Sequence, residues 1–392
     1  MTTTGNAPDL LRAMIGIDSV NRAISGRPAP EAEFVAYLEG AAAALGLVTQ
    51  RLPVPGEAEN LLVTAPVRVD APWLLFESHL DTVGVEGMIV PPFRATDTPG
   101  RIHGRGACDT KASGAAILRA LADHAAALAA GGTGLNGAVV FTVDEEIARA
   151  GIHRFVDHHL PALGWWPAAV VVGEPTRLRP VVAHNGVVRV VIRTTGHAAH
   201  SSNPSLGRSA ISAMLPIVTR LEHEVIPAIA ASHPLTGRAV GSVNTIRGGE
   251  QVNIIPAWCE IQLDRRTVPG EDGWAVLAGI GAFLDDCRAA DPRLEVALDP
   301  IVHQPLDPAT NGAWAAIVGA TLERMGRPGA GIGVGYGTDA SEFERAGIPA
   351  LVLGPGDIAQ AHAADEWVEI DELQAAVEIY GALLRGEVPG PV

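Results

Sequence analysis

The first third of the chain alternates between helix-like and strand-like patterns of hydrophobic positions. Residues 30–45 place apolar side chains at helical spacing, and Gly46 is a suitable stop. Residues 112–130 form an alanine-rich helical stretch. Short apolar runs that end in polar residues predict buried strands; these runs are WLLFESHLDT, GAVVFTVDEE and AAVVVGEPT. The alternation predicts an α/β fold with a mostly parallel sheet that helices cover on both faces.

The pattern changes near residue 186 and returns near residue 300. The segment between them contains an alternating strand, a long amphipathic helix, two hairpin strands, a second helix and a last strand. This β-α-β-β-α-β order predicts a ferredoxin-like unit, in which helices lie on one face of an antiparallel sheet. We therefore predict one α/β domain, residues 1–185 and 300–392, that is interrupted by a smaller α+β domain, residues 186–299.

Composition and charge narrow the classes of function. A length of 392 residues favours two domains, and a net charge of −16 disfavours nucleic acid or an anionic membrane as partner. The longest apolar runs suit buried strands rather than membrane spans, and the N-terminal residues lack the pattern of a signal peptide. Cys108, Cys259 and Cys287 show no disulfide-framework spacing. We expect a soluble, cytoplasmic protein.

Acidic and histidine side chains cluster just after the predicted strands, where open α/β sheets place their ligands. In chain order they are His79, Asp81, Asp109, Glu145, Glu146, Glu174 and His362. Imidazole and carboxylate groups together suit zinc or a related divalent ion. His79 and Asp81 stand two residues apart and share one face of a strand, so Asp81 can orient the imidazole ring.

The charges of these groups favour two metal ions, since three carboxylates and one hydroxide balance two divalent cations. In that arrangement Glu145 is left free as a general base. We take Asp109 as the ligand that bridges the two ions. His79 and Glu174 complete one site, and Glu146 and His362 complete the other.

Eight segments carry a resemblance to one enzyme family. They are SHLDTVG, GRGACDTKASGAA, TVDEE, VVGEPT, GHAAHSSNPSLGRSAI, VNIIPAWCEIQLDRRTVPG, GYGTDASEF and LVLGPGDIAQAHAADEWV. Over roughly residues 10–385 the chain resembles the dinuclear-zinc amidohydrolases and exopeptidases. That family includes acetylornithine deacetylase, succinyl-diaminopimelate desuccinylase, aminoacylase and a glutamate-releasing carboxypeptidase. The segments VVGEPTRLRPVVAHNG, GHAAHSS and LVLGPGDIAQAH are particularly similar to acetylornithine deacetylase.

The resemblance implies roles for individual residues. It implies the same two ligand sets around Asp109, with Asp81 orienting His79 and Glu145 acting as general base. It also implies a cis peptide bond between Asp109 and Thr110.

The resemblance also implies that the inserted domain is a dimerisation domain. Its His200 matches a histidine that reaches the partner subunit's active site and polarises the scissile carbonyl; on spacing alone His197 is the alternative. Five residues match the family's residues that bind the substrate carboxylate: Arg266, Asn253, Gly337, Thr338 and Asp339.

The predicted function is hydrolysis of the amide bond of a small N-acyl amino acid. The predicted cofactors are two divalent ions per subunit of a homodimer, with zinc first and cobalt or manganese as alternatives. A desuccinylase and a dipeptidase or carboxypeptidase are alternatives within the class, and a non-catalytic binding protein on the same fold is the alternative outside it. Where the family usually has Asp-Met-Lys-Gly-Gly, this chain has Asp109, Thr110, Lys111, Ala112 and Ser113. The differences put the identity of the substrate, more than catalysis, in question.

Overall fold

The computed structural model describes residues 5–65, 68 and 70–389. The chain divides into two compact units. Unit 1 comprises Met1–Val182, Pro308–Ile332 and Thr338–Val392, and unit 2 comprises Ala183–Asp307 and Gly333–Gly337. Residues 1–4 and 390–392, at the ends of the predicted α/β domain, lie outside the described residues.

The described residues contain ten α-helices. In chain order they are α1 (Ala7–Ile15), α2 (Arg22–Ser25), α3 (Ala32–Ala44), α4 (Lys111–Ala129), α5 (Ala150–Arg154), α6 (Ala210–Arg220), α7 (Gly273–Ala290), α8 (Pro308–Arg324), α9 (Ala340–Arg345) and α10 (Ile370–Arg385). Among these described helices, none is long and apolar enough to cross a bilayer.

Nineteen strands occur in the same residues. The strands up to residue 184 are β1 (Val48–Leu52), β2 (Asn60–Thr64), β3 (Trp73–His79), β4 (Thr96–Thr98), β5 (Arg101–His103), β6 (Asn136–Thr142), β7 (Pro167–Val172) and β8 (Val181–His184). The later strands are β9 (Gly186–Thr195), β10 (Ala199–His200), β11 (Ser232–His233), β12 (Gly237–Arg238), β13 (Val240–Gly248), β14 (Ile254–Ile255), β15 (Trp258–Thr267), β16 (Glu295–His303), β17 (Ile332–Val334), β18 (Ala350–Val352) and β19 (Trp367–Glu369).

The larger sheet has eight strands in the order β1-β2-β6-β3-β7-β18-β8-β17. Its central strands β6, β3, β7 and β18 run parallel, whereas β1 and β2 pair antiparallel at one edge. Every residue of β3 and β6 is buried, as expected for strands that are covered on both faces. This arrangement confirms the predicted α/β fold with a mostly parallel sheet.

The direction of the parallel strands positions the chemistry. Strand β3 ends at His79, β6 ends two residues before Asp144, and β7 ends two residues before Glu174. Because β3 pairs in parallel with both β6 and β7, these three ends meet at one edge of the sheet.

Unit 2 contains a four-stranded antiparallel sheet in the order β13-β15-β9-β16. Residues of β15 alternate between buried and more exposed positions, and α6 and α7 supply apolar side chains to the same cluster as the sheet. The order of strands and helices confirms the predicted ferredoxin-like unit. The long amphipathic helix of the prediction is α-helical only in α6 and continues as a π-helical turn, Leu221–Val225.

Candidate metal centre

Two histidines approach opposite oxygens of Asp109. The Nε2 atom of His79 lies 2.9 Å from Asp109 Oδ1, and the Nε2 atom of His362 lies 3.3 Å from Asp109 Oδ2. Asp109 and His79 are buried, whereas His362 is exposed. A carboxylate with one imidazole at each oxygen has the arrangement of a ligand that two cations share.

A glutamate accompanies each histidine. Glu174 Oε1 lies 3.7 Å from His79 Nε2, and Glu146 Oε1 lies 3.2 Å from His362 Nε2. Ligand atoms of His79, Asp109 and Glu146 all lie within 4.8 Å of one another. The structure thus gathers the five predicted metal ligands, one His–Glu pair on each side of Asp109. That they bind metal stays a prediction.

Positive charge would stabilise the ionised carboxylates of this cluster. Burial raises the pKa of Glu146 to about 7, and burial with the nearby Asp109 charge raises the pKa of Glu174 well above its usual value. Hydrogen bonds to Asp109 and Glu146 raise the pKa of His362 to about 10. Burial opposes the charged form of His79, but Asp109 holds its pKa above the ordinary value. Buried carboxylates at these distances need cationic neighbours, and a set of histidines and carboxylates fits divalent metal ions.

Asp81 is fully buried behind His79. Its Oδ1 atom lies 3.6 Å from His79 Nδ1, and its backbone oxygen lies 2.9 Å from the same nitrogen. The backbone N–H groups of Glu145 and Glu146 donate to its two carboxylate oxygens at 3.0 and 3.1 Å. Asp81 therefore fixes the loop that carries both glutamates and also faces the imidazole ring.

The sequence analysis missed Asn21, which joins the segment after β3 to the loop after β6. Its Nδ2 group donates to Asp81 Oδ2 at 2.8 Å and to Asp144 Oδ1 at 2.9 Å. The other oxygen of Asp144 accepts from the backbone N–H of Ala150 at 3.2 Å. A partial signal for this contact was present in the sequence, because one of the two partners of Asn21, Asp144, is the first acid of the Asp-Glu-Glu run.

A buried ion pair holds the backbone that leads to Asp109. Arg105 Nη1 lies 2.6 Å from Glu366 Oε2, and that carboxylate accepts from the backbone N–H groups of Gly106, Cys108 and Asp109 at 2.9–3.1 Å. Glu366 therefore sets the path of the backbone that presents Asp109. Its position four residues after His362 was the available sequence signal.

The backbone changes direction directly after Asp109. The peptide bond between Asp109 and Thr110 is cis, as the resemblance implied. Helix α4 then begins at Lys111, whose buried Nζ group donates to the carbonyl oxygens of Met14 and Ile17 at 3.1 and 2.8 Å. Lys111 thus ties the start of α4 to the end of α1 and to the segment that follows it.

Glu145 lies beside a buried arginine that the sequence analysis did not single out. Arg149 Nη2 is 2.9 Å from Glu145 Oε1, Nη1 donates to the carbonyl oxygen of Thr338 at 3.0 Å, and Nε is 3.5 Å from Asp339 Oδ1. Asp339 is fully buried, and its carboxylate oxygens have no hydrogen-bond partner among the described residues. The only sequence signal for Arg149 was its place four residues after Glu145.

Of the other predicted site residues, Thr338 and Asp339 lie in unit 1, whereas His200, Asn253, Arg266 and Gly337 lie in unit 2. His200 is exposed on β10, and its Nδ1 atom lies 2.7 Å from Ser202 Oγ. Asn253 is exposed and precedes β14, the strand that pairs with β10. Arg266 lies on β15 and donates from Nε to Asp264 Oδ1 at 2.7 Å. Gly337 ends the second segment of unit 2, whereas the predicted metal ligands and Glu145 all belong to unit 1.

Known proteins identify the family to which these features belong. The model of peptidase family M20/M25/M40 matches residues 75–386, most of the chain. The chain belongs to this family. It is 30% identical over 396 residues to acetylornithine deacetylase from Yersinia pseudotuberculosis, and the match covers 96% of each protein.

Two solved structures share the fold. An M20 metallo-carboxypeptidase from Sulfolobus solfataricus superposes with a TM-score of 0.79 at 18% identity, over 97% of this chain and 99% of that one. A dinuclear metal-binding peptidase of family M20 from Bacillus subtilis superposes with a TM-score of 0.67 at 16% identity, over 96% of each chain.

Family membership confirms the predicted class. The protein is a metal-dependent hydrolase that acts on amide bonds, and it uses divalent metal ions. This result favours the enzyme over the alternative of a non-catalytic binding protein.

Proposed function

We propose that this M20 enzyme removes the acyl group from a small N-acylated amino acid, with N-acetylornithine as the first substrate to test. The observation that carries the proposal is Asp109, which has a His–Glu pair at each oxygen. Glu145, a carboxylate outside both pairs, lies next to Glu146 in the same loop and pairs with Arg149. The match to acetylornithine deacetylase over 96% of both chains supports the choice of substrate.

We propose zinc as the working metal, with cobalt and manganese as alternatives. His79 and Glu174 would hold one ion, Glu146 and His362 would hold the other, and Asp109 would bridge them. When bound, the ions supply positive charge that favours the ionisation of water and stabilises negative charge on the carbonyl oxygen. Three carboxylates and two imidazoles match the ligand preference of these ions.

Glu145 is the proposed general base. It takes a proton from the attacking water, which adds to the acyl carbon, and it then gives the proton to the departing amine nitrogen as the C–N bond breaks. The products are a carboxylic acid and a free amino acid. Asp81 supports this role because it holds the backbone N–H of Glu145 at 3.0 Å.

His200 is the proposed donor to the substrate carbonyl, supplied by the partner subunit. The backbone N–H of Ser202 donates to His200 Nδ1 at 3.2 Å, so the neutral ring carries its proton on Nε2. That tautomer presents an N–H group that can stabilise an oxyanion.

Arg266 is proposed to clamp the substrate carboxylate, aided by Asn253 and by the turn of Gly337, Thr338 and Asp339. A guanidinium group can form two parallel hydrogen bonds with a carboxylate, which lysine cannot do. Arg266 is half-buried and pairs with Asp264, and part of its side chain stays exposed.

We propose a homodimer through unit 2. Strand β13 is an edge strand of the four-stranded sheet, and it carries the exposed apolar residues Val240 and Ile246. An exposed apolar edge strand favours pairing with another chain. We also propose a cytoplasmic location, since Cys108, Cys259 and Cys287 are all buried free thiols.

Steady-state rates on three substrate classes test the function. We expect a higher kcat/KM for N-acetylornithine than for N-succinyl-diaminopimelate or a panel of dipeptides, and measurable zinc in the purified protein. A preference for dipeptides would support the carboxypeptidase or dipeptidase alternative. Absence of amide hydrolysis on every panel with metal present would contradict the proposal.

Mixing two inactive variants tests the shared site. If His200 acts across the dimer, Glu145→Ala and His200→Ala homodimers should both be nearly inactive. A heterodimer of the two has one site with both groups, so its activity should return to about half of wild type for independent sites. Verified heterodimers that stay inactive would show that His200 does not serve the partner subunit.

A further inference from the structure

Arg149 is a buried cation that contacts three separate groups of unit 1. Its guanidinium lies 2.9 Å from the Glu145 carboxylate, donates to the carbonyl of Thr338 at 3.0 Å, and lies 3.5 Å from the Asp339 carboxylate. These partners come from two distant segments, the loop after β6 and the turn before α9. One planar side chain therefore joins the proposed base to that turn.

The backbone conformation at this position disfavours a side chain, which makes the presence of an arginine there informative. Arg149 has φ 57° and ψ 32°, a left-handed conformation that glycine adopts without the strain that a Cβ atom causes. Its N–H group closes the loop by donating to the carbonyl oxygen of Asp144 at 2.6 Å. A glycine would satisfy the same backbone at lower cost, so the contacts of the guanidinium offset the strain.

Charge also favours a specific role for this arginine. Burying a guanidinium is costly unless carboxylates accompany it, and Glu145 and Asp339 are both within ion-pair distance. Burial would lower the pKa of Arg149, but these two carboxylates raise it above the ordinary value, so the cation is permanent. Arg105 is another buried arginine that pairs with a carboxylate, Glu366 Oε2. Unlike Arg149, Arg105 does not contact Glu145.

We propose that Arg149 is a positioning residue for Glu145. It holds Oε1 of the carboxylate, leaving Oε2 for proton transfer, and it fixes the base relative to the Thr338–Asp339 turn. The inference rests on the proposed role of Glu145 as general base. Because proton transfer needs the base at hydrogen-bond distance and correct orientation, loss of this contact lowers turnover more than substrate affinity.

The test combines a cavity-forming variant with chemical rescue. Arg149→Gly removes the side chain and relieves the backbone strain. We expect kcat to fall about 100-fold while KM changes less than about threefold, with unchanged metal content. Added guanidinium ion should restore part of kcat. Arg149→Lys keeps the charge without the planar fork, so its kcat should lie between those of wild type and the glycine variant.

A matched control removes another arginine that pairs with a buried carboxylate of unit 1. Arg345 lies 2.8 Å from Glu342 Oε2 and has no contact with Glu145, so Arg345→Met should keep wild-type kcat and KM. We expect Arg149→Gly and Arg345→Met both to lower the melting temperature. If only Arg149→Gly reduces kcat, and guanidinium rescues it, the effect is due to positioning and not to a general loss of stability.

Three results would overturn the inference. They are wild-type kcat in the glycine or lysine variant, a loss of kcat in proportion to metal loss, and a glycine variant that guanidinium does not rescue. If the glycine variant does not fold, kcat of Arg149→Lys decides alone. Glu145→Gln is measured in parallel: if it stays active, the proposed base is wrong, whereas an inactive Glu145→Gln with an active Arg149→Gly refutes only the role of Arg149.

Discussion

The two halves of the candidate metal centre differ in their access to solvent. The His79 side chain is 2% exposed; it is the last residue of the fully buried strand β3 and faces Asp81. The His362 side chain is 52% exposed and lies in a loop, in a left-handed backbone conformation. Both histidines approach the same carboxylate, Asp109. The contrast indicates that His79 is part of the folded core, whereas His362 meets water; the side chains of Glu174 and Glu146 are each 8% exposed.

Removal of metal should have the largest effect, because it acts on both halves. Exhaustive chelation should abolish activity and lower the melting temperature, and zinc or cobalt should restore both. The exposed half should release its ion first, so metal content should fall in two phases. Activity that persists in protein shown to be free of metal would refute the metal-dependent mechanism.

Neighbouring glutamates should respond differently to the same substitution. Glu145→Gln keeps the shape but removes the proton acceptor, so kcat should fall about 1,000-fold while metal content is unchanged. Glu146→Gln should instead lose metal, because an amide is a poorer ligand than a carboxylate. Kinetics and metal analysis of both variants check this, and the reverse pattern would exchange the two assignments.

The two histidines should differ in their effect on stability in metal-free protein. His79→Ala leaves the buried Asp109 and Glu174 carboxylates without their nearest imidazole, which should cost about 3 kcal/mol in the free energy of unfolding. His362→Ala removes a solvent-exposed partner and should cost less than about 1 kcal/mol. Urea titration measures both. Equal losses would remove the distinction between the two halves.

Glu31, a buried carboxylate whose charge interacts with that of Asp81, destabilises the protein at high pH. Both carboxylate oxygens of Glu31 are buried without a hydrogen-bond partner among the described residues. Burial raises its pKa to about 8, and the charge of Asp81 adds to the shift. A raised folded-state pKa in an acid means that stability is lost as pH rises from the unfolded value, about 4.3, to about 8.

Glu31→Gln removes that titration and should flatten this pH dependence. We expect a melting temperature a few degrees above wild type at pH 9, with a smaller difference or none at pH 4. A constant difference across this range would show that Glu31 does not change its ionisation on folding.

The sequence predicted the strand ends well because local patterns specify them. Continuous apolar runs identify β3, β6 and β7, and parallel pairing of those strands gathers the residues that follow them. Asp109 and His362 were also expected just after strands, but β5 ends at His103 and β18 at Val352, several residues before them. Their place in the centre therefore depended on the charge argument and the family resemblance. The same local patterns identified the alternating strands of unit 2.

The residues that hold the ligands in place were not predictable in the same way. Asn21 reaches Asp144 across 123 positions, and Arg105 reaches Glu366 across 261. Such partners share no period or motif with the residues they support, so only the folded chain brings them together. Arg149 is near Glu145 in sequence, but its contacts with Thr338 and Asp339 are equally remote.

Zinc titration of metal-depleted protein tests whether Asp109 joins two ion sites of unequal exposure. Wild type should take up two ions per chain with separable affinities. His362→Ala should keep a single ion, held by the buried half, whereas His79→Ala should lose the tighter site. Uptake of one ion by wild type, or of two ions by His362→Ala, would contradict the account.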